Sequence, residues 1–373
     1  MSGIDVAIIG VGLVGSAVIA QLGTAASAAS MRVVALQNSK KALLAKPGQQ
    51  LALSGWKDAL AASSANAFAL DELVKHLEAL RDSNKRHIAV VDNTSDQSVA
   101  QFYPSFLKAG FSVVTPNKKA FSGSLDLHLA IQQNVAHGVS STRGPLVYQE
   151  STVGAGLPII STLQDLVMTG DEVKCIEGVL SGTMSYIFNE FSPPGGGTRK
   201  FSEVVAVARE NGYTEPHPAD DLSGSDVARK LTILSRLIPA LSEALPEGFS
   251  SVPTQSLTPE PLLDEKNADV YVKRLAEFDQ HFDELRAKAQ AHNSVLRYVG
   301  VIDVPSKTIK ASLETYPATH AFATSLGGSD NIMSFSSSRY NNRPLIVQGS
   351  GAGADVTAMG VVADLLRVAE RRA

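Results

Sequence analysis

Apolar positions change their rhythm part-way along this chain. Up to about residue 150, short apolar runs alternate with segments of helical spacing: Val6–Ile9, Val33–Leu36, His87–Val91, Ser112–Thr115 and Leu146–Gln149 read as strands, with helices between them. This β-α-β order predicts a parallel sheet whose ligand lies beyond the carboxyl ends of the strands. From Glu150 the pattern differs. Val179–Leu180 leads through Ser181-Gly182-Thr183 into a helix, and Lys266–Ala291 reads as one long amphipathic helix with Val272, Leu275, Phe278, Phe282 and Leu285 on its apolar stripe. Leu296–Val304, Thr308–Leu313, Asn331–Ser336 and Leu345–Gln348 then read as strands of an antiparallel sheet, and the turn Gly349-Ser350-Gly351-Ala352-Gly353 opens a final helix. The expected fold class is α/β: a Rossmann-like dinucleotide-binding domain plus an α+β domain with a mostly antiparallel sheet.

The first strand runs into Gly10-Val11-Gly12-Leu13-Val14-Gly15 and then into an apolar helical stretch. Gly10 allows a tight turn, Gly12 lets backbone approach a pyrophosphate, and Gly15 lets helix pack closely on strand, with free N–H groups at the helix start for phosphate. The same stretch could be an export signal, but it carries Asp5 and no Lys or Arg before the apolar run, and it is too short for the roughly 20 residues of a bilayer span. An acidic residue that would take the ribose 2′-hydroxyl of NAD is missing, because the second strand ends Leu36-Gln37-Asn38-Ser39-Lys40-Lys41. That favours NADP, with Ser39, Lys40 and Lys41 available to a 2′-phosphate or else a solvated loop. After the third strand, Asn93-Thr94-Ser95 is placed to meet cofactor or substrate and equally to cap a helix before Gln97.

Composition narrows the class. With 373 residues, 44% of them hydrophobic and a net charge of −4, the chain can bury a sizeable core and carries no electrostatic footprint for nucleic acid. No segment is long and apolar enough for a membrane span, so a soluble, cytoplasmic protein is expected. The one cysteine, Cys175, sits in an apolar run and reads as a buried structural thiol.

Candidate chemistry concentrates at Gly212–Lys230. A proline-stiffened loop carries Glu215, Asp220 and Asp221 into a helix whose Asp226 and Lys230 are four apart and share one face. A lysine held among carboxylates can move a proton, although an i,i+4 pair of this kind is also a common solvated surface pair. His217 and His320 lack metal-ligand spacing and read as loop histidines.

Taken together, the glycine turn, Asp92-Asn93-Thr94-Ser95, Thr115-Pro116-Asn117-Lys118-Lys119, Glu150–Pro158, Ser181–Asn189, Gly212–Pro216 and Asp220–Lys230 resemble homoserine dehydrogenases of the compact monofunctional fungal form, over nearly the whole chain. The resemblance implies an NAD(P)-dependent interconversion of L-homoserine and L-aspartate 4-semialdehyde, on the route to threonine and methionine, by a homodimer. It implies a cofactor domain at 1–149 completed by a helix at 350–373, a substrate-binding and catalytic region at 150–293, and strands of a dimerisation sheet at 294–349. Lys230 and Lys118 would be the catalytic lysines, expected to converge at the reacting carbon, with Asp226 their acidic partner. Glu215, Gly182, Thr183 and Asp221 would hold substrate. Gly10, Val11, Gly12, Leu13, Val14, Gly15, Asn93, Thr94, Ser95, Lys118 and Gly351 would meet the cofactor. Glu150 with backbone oxygens of Val153, Ala155 and Leu157 would hold a monovalent cation such as Na+. Two other readings stay open: an NADP-binding sensor or scaffold without turnover, and a dehydrogenase for another small amino or oxo acid.

Overall fold

The computed structural model describes residues 3–25, 30–139 and 144–372, which fall into two compact units, Met1–Pro158 with Ala352–Ala373 and Ile159–Gly351. Ala373, expected to end the last helix, lies outside the described residues.

The first unit holds a six-stranded sheet. Its strands are β1 (Ile4–Ile9), β2 (Met31–Gln37), β3 (Ala42–Leu44), β4 (Ile88–Asp92), β5 (Ser112–Val114) and β6 (Val147–Tyr148), in the order β3-β2-β1-β4-β5-β6. All neighbours are parallel except β2 and β3. Every residue of β1 is buried, as a strand covered on both faces requires, which is why it reads as an unbroken apolar run. Its one charge, Asp5, is fully enclosed and satisfied by Arg32 (2.9 and 3.0 Å), Arg86 (2.8 Å) and Asn84 (2.7 Å). Asp5 is thus a buried tie at the amino ends of the strands. β3 went unpredicted because three residues carry no readable alternation.

Helix Ala354–Arg372 returns to this unit, placing Ala358, Val361, Leu365 and Val368 in one core with Ile4, Val6, Ile8, Val18 and Ile19. The Glu150–Pro158 loop also belongs here, so the unit ends later than residue 149. Its Glu150 N–H donates to Asp364 (2.9 Å), and a Cβ on Gly156 would fall 2.4 Å from the Val356 carbonyl oxygen.

The second unit is built on a fully antiparallel sheet of β7 (Val173–Val179), β8 (Ser294–Asp303), β9 (Thr308–Pro317), β10 (Asp330–Ser337) and β11 (Leu345–Ser350), ordered β11-β10-β7-β8-β9. Its centre, β7, comes from the region read as catalytic, so one sheet joins the parts divided at residue 293. Helix Gly182–Phe191 follows β7, and its last carbonyls are satisfied by Arg297, which is 1% exposed and donates to the oxygens of Phe188 (3.1 Å), Ser192 (2.9 Å) and Phe322 (2.8 Å). This answers orphan groups at a helix end with a buried cation and anchors the helix on β8.

The single long helix expected at Lys266–Ala291 is instead two, Ala268–Leu275 and Asp279–Ala291, separated by a 3-10 turn at Ala276–Phe278. Tertiary contacts override the periodicity there: the Asp279 carboxylate accepts from Ser202 N–H (2.9 Å) and Ser202 Oγ–H (2.7 Å) at the start of the Phe201–Glu210 helix.

Candidate active site and cofactor loop

In the first unit, the glycine turn has the geometry its spacing predicts. Gly10 has φ +84°, and its N–H donates to the Gln37 carbonyl (2.8 Å), drawing the end of β2 beside the turn. A Cβ on Gly15 would lie 2.1 Å from the Gly10 carbonyl oxygen, whereas one on Gly12 would meet nothing within 4 Å. Helix Leu13–Thr24 therefore packs tightly at Gly15 and leaves open space at Gly12, and no side chain caps its first turn. Val11 and Val14 rest on the core, while Leu13 is 85% exposed. Behind the turn, both amide atoms of Asn93 are buried without a hydrogen-bond partner. An open glycine, uncapped N–H groups and an orphaned amide suit a dinucleotide phosphate and its attached groups.

Asn93–Ser95 is not the cap before Gln97. That cap is Asp96, whose carboxylate accepts from the N–H groups of Ser98 (2.7 Å) and Val99 (3.2 Å). Thr94 instead turns back on Asp92, giving its N–H at 2.8 Å and its hydroxyl at 2.6 Å. Asp92 is fully buried and also accepts from Tyr103 (2.6 Å) and Asn117 (3.0 Å); burial raises its pKa above the ordinary value. One carboxylate thus ties the loop after β4 to the loop after β5, which carries Lys118. Ser95 is exposed beside it.

At the end of β2, the Gln37 side chain pairs with the Phe68 backbone (2.9 and 3.0 Å), and Asn38 Oδ1 accepts from the N–H groups of Lys40 and Lys41. Lys41 Nζ donates to the Ser63 carbonyl at 2.8 Å, so it is engaged away from the expected 2′-phosphate role. Ser39 and Lys40 are exposed.

In the second unit, the Gly212–Lys230 segment is more structured than a loop. Asp220 and Asp221 lie on a short helix, Pro218–Leu222, and His217 is no idle loop residue: its Nδ1 accepts the Ala219 N–H (3.3 Å) as the helix N-cap. His320 likewise caps Ala321–Thr324 through Phe322 N–H (3.2 Å). Gly224 has φ +75°, and a Cβ there would fall 2.0 Å from the Tyr298 hydroxyl, so this hinge accepts only glycine before helix Ser225–Ser235.

Asp226 and Lys230 pair at 2.7 Å, but not as a solvated surface pair. Lys230 is 6% exposed, and its ammonium also donates to the Leu180 carbonyl at 2.6 Å. Leu180 directly precedes Ser181, whose side chain caps the helix beginning at Gly182. From that helix, Thr183 Oγ lies 2.6 Å from the Tyr213 carbonyl oxygen and 2.8 Å from Asp221, whose other oxygen accepts the Glu215 N–H at 2.8 Å. Burial, with Glu215 and Asp226 nearby, raises the Asp221 pKa above its ordinary value. Gly182 and Thr183, Asp221, and Asp226 with Lys230 thus come from three helices, and Glu215 from the loop before the second. Two contributors were not read from the sequence: Tyr213, whose ring packs on Tyr186 with centroids 4.8 Å apart, and Asn331, whose Nδ2 donates to the Leu180 carbonyl at 3.2 Å. Tyr213 falls within the Gly212–Pro216 motif, but only geometry shows its carbonyl at work. Gly351 belongs to this unit, pressed against the Asn331 amide.

Cys175 lies on β7 half-buried, its pKa raised to about 11 by burial and by Glu177 and Asp303, as an inert structural thiol requires.

Family models decide the assignment: the homoserine dehydrogenase model matches residues 158–366, and the homoserine dehydrogenase NAD binding domain matches residues 10–139. The chain belongs to the homoserine dehydrogenase family. Homoserine dehydrogenase of Saccharomyces cerevisiae is 45% identical over 369 residues, covering 99% of this chain and 98% of the relative. That of Emericella nidulans is 47% identical over 374 residues, covering 98% of each. A crystal structure of a Candida auris protein of unknown function superposes with a TM-score of 0.91 at 44% identity, covering 100% of this chain and 99% of the other. A hyperthermophilic archaeal homoserine dehydrogenase, solved as a mutant with NADPH, shares the fold at a TM-score of 0.68 and 20% identity, covering 98% of this chain and 97% of that one. Homoserine dehydrogenase membership makes the chain an NAD(P)-dependent oxidoreductase and disfavours the sensor reading. Among the described residues, no helix is long and apolar enough to cross a membrane.

Proposed function

We propose that this chain interconverts L-homoserine and L-aspartate 4-semialdehyde with NAD(P), Lys230 serving as proton donor and acceptor. The observation that carries this reading is the Lys230 ammonium, buried against the Asp226 carboxylate and the carbonyl of Leu180, the residue two before Gly182. When bound, the dinucleotide supplies or accepts the hydride. Reduction of the aldehyde builds negative charge on its oxygen, and an ammonium at that point neutralises the charge and gives up a proton. Asp226 pairs with the Lys230 ammonium and aims it. Glu215 is exposed and takes the α-ammonium of the substrate, with Asp221, Thr183 and the Gly182 backbone shaping the remainder. Lys118 is assigned a second positive charge in the same step. Gly10, Val11, Gly12, Leu13, Val14, Gly15, Asn93, Thr94, Ser95 and Gly351 are assigned to the dinucleotide. NADP is preferred over NAD, because no carboxylate ends β2 and Lys40 stays exposed beside it. Following NADPH loss with L-aspartate 4-semialdehyde, and repeating with NADH, tests both parts: no turnover with either removes the reading, and a preference for NADH removes the second.

The Glu150–Pro158 loop is proposed as a monovalent-cation site. Gly154 and Ala155 both have positive φ (+79° and +55°), which curls the backbone carrying the Val153, Ala155 and Leu157 oxygens, and Glu150 supplies one carboxylate, shared with Arg367 at 3.3 Å. A melting temperature that does not rise when Na+ replaces choline at fixed ionic strength counts against this site. A homodimer is proposed through the five-stranded sheet. It is supported by the half-buried side chains of Cys175, Glu177, Lys310, Ser312 and Glu314, which the pairing register puts on one face of it. Sedimentation equilibrium giving the mass of one chain opposes it. A cytoplasmic location accords with the single, inert thiol, and cell fractionation tests it.

A further inference from the structure

We infer that Asn331 is a positioning residue for Lys230, acting through the Leu180 carbonyl that both side chains hold. The inference rests on the reading of Lys230 as proton donor. Asn331 stands on β10, far from Lys230 in sequence, and is 3% exposed. Its Nδ2 donates to the Leu180 carbonyl at 3.2 Å, and Lys230 Nζ donates to the same oxygen at 2.6 Å. A carbonyl has two lone pairs, so this one is fully occupied by the pair. The chemistry also fixes which way the amide faces, because only the nitrogen can donate to a carbonyl.

Two further facts set Asn331 apart from ordinary packing. Its Oδ1 is buried without a hydrogen-bond partner, a condition that a leucine of similar size would avoid. The amide is also clamped: a Cβ at Gly351 would fall 2.0 Å from its nitrogen and 2.1 Å from its Cγ, so only a glycine backbone lies flat against it. The held peptide joins Leu180 to Ser181, the residue that caps the helix carrying Gly182 and Thr183. One immobilised amide thus sets a peptide plane that orients the ammonium on one side and the start of the substrate-binding helix on the other. Without that donor the carbonyl turns wholly to Lys230, holding the proton more tightly and in a different direction.

Asn331→Leu and Asn331→Asp test this beside Lys230→Ala, with melting temperature recorded for each. Asn331→Leu keeps the branched shape and removes the donor, so kcat falls about ten-fold while KM changes little. Asn331→Asp loses activity most at high pH and recovers as the new carboxyl becomes protonated and can donate; the charged group that shares its carbonyl is Lys230, which is itself paired with Asp226. Wild-type kcat in Asn331→Leu, or in Asn331→Asp at high pH, with melting as in the parent, overturns the inference. Should Asn331→Leu fail to fold, Asn331→Asp decides through its pH profile, and a profile parallel to the parent's overturns it. Undiminished turnover in Lys230→Ala instead removes the reading of Lys230 itself.

Discussion

Lys230 illustrates how far a single residue can be read. Its i,i+4 spacing from Asp226 is visible in the sequence and predicts a shared helix face, but the same spacing serves solvated pairs; burial at 6% exposure separates the two cases. Lys230→Ala is expected to lower kcat by about 10²-fold or more, and Glu215→Ala mainly to raise KM, because one acts on charge that develops during reaction and the other on a charge present throughout. Steady-state kinetics on the two variants separate these effects; equal losses in KM would refute the division. The glycine turn allows a sharper contrast. Gly12→Ala meets open space, so its melting temperature should match the parent while NADPH affinity, read by fluorescence titration, collapses. Gly15→Ala places a methyl 2.1 Å from the Gly10 carbonyl oxygen and should lower both. A Gly12→Ala variant that binds NADPH normally would show that backbone approach there is not needed. Asn331 was invisible beforehand because its importance comes from a hydrogen bond across 151 residues, which no local pattern encodes.

Among elements, legibility followed length and period. The apolar β1 and the alternating start of β9 were readable because burial on two faces and burial on one leave different patterns. The broken helix at Ala276–Phe278 was not, since the Asp279 contact with Ser202 that marks the break is tertiary. Strand β4 carries a pH dependence at its start. His87 bonds Ser112 Oγ at 2.8 Å, and burial, then Arg372 and Arg81, lower its pKa from 6.5 to about 4. Between those values the unfolded chain binds a proton that the folded chain refuses. The stability contribution of a neutral His87 is therefore complete above pH 6.5 and declines as pH falls toward 4, with a slope of at most about 1.4 kcal/mol per pH unit. His87→Gln should shrink the drop in melting temperature between pH 7 and pH 5; an unchanged drop would place the acid sensitivity elsewhere.

At the level of the whole molecule, the two sheets announced themselves by the change of rhythm near residue 150, while the boundaries did not, because the Glu150–Pro158 loop is tied to helix Ala354–Arg372 by Asp364 and by the close approach at Gly156. That returning helix has a consequence for how the chain is made. Ile159–Gly351 is one uninterrupted stretch, but the nucleotide-binding unit needs Val361, Leu365 and Val368 to cover β1 and the first helix. During synthesis Ile159–Gly351 can reach its final packing while the earlier-made segment still waits, its apolar surface uncovered, for residues that leave the ribosome only after that stretch is complete. Nascent chains arrested before residue 354 should thus expose that surface to chaperones and proteases, whereas the sheet built from β7 to β11 should already resist them.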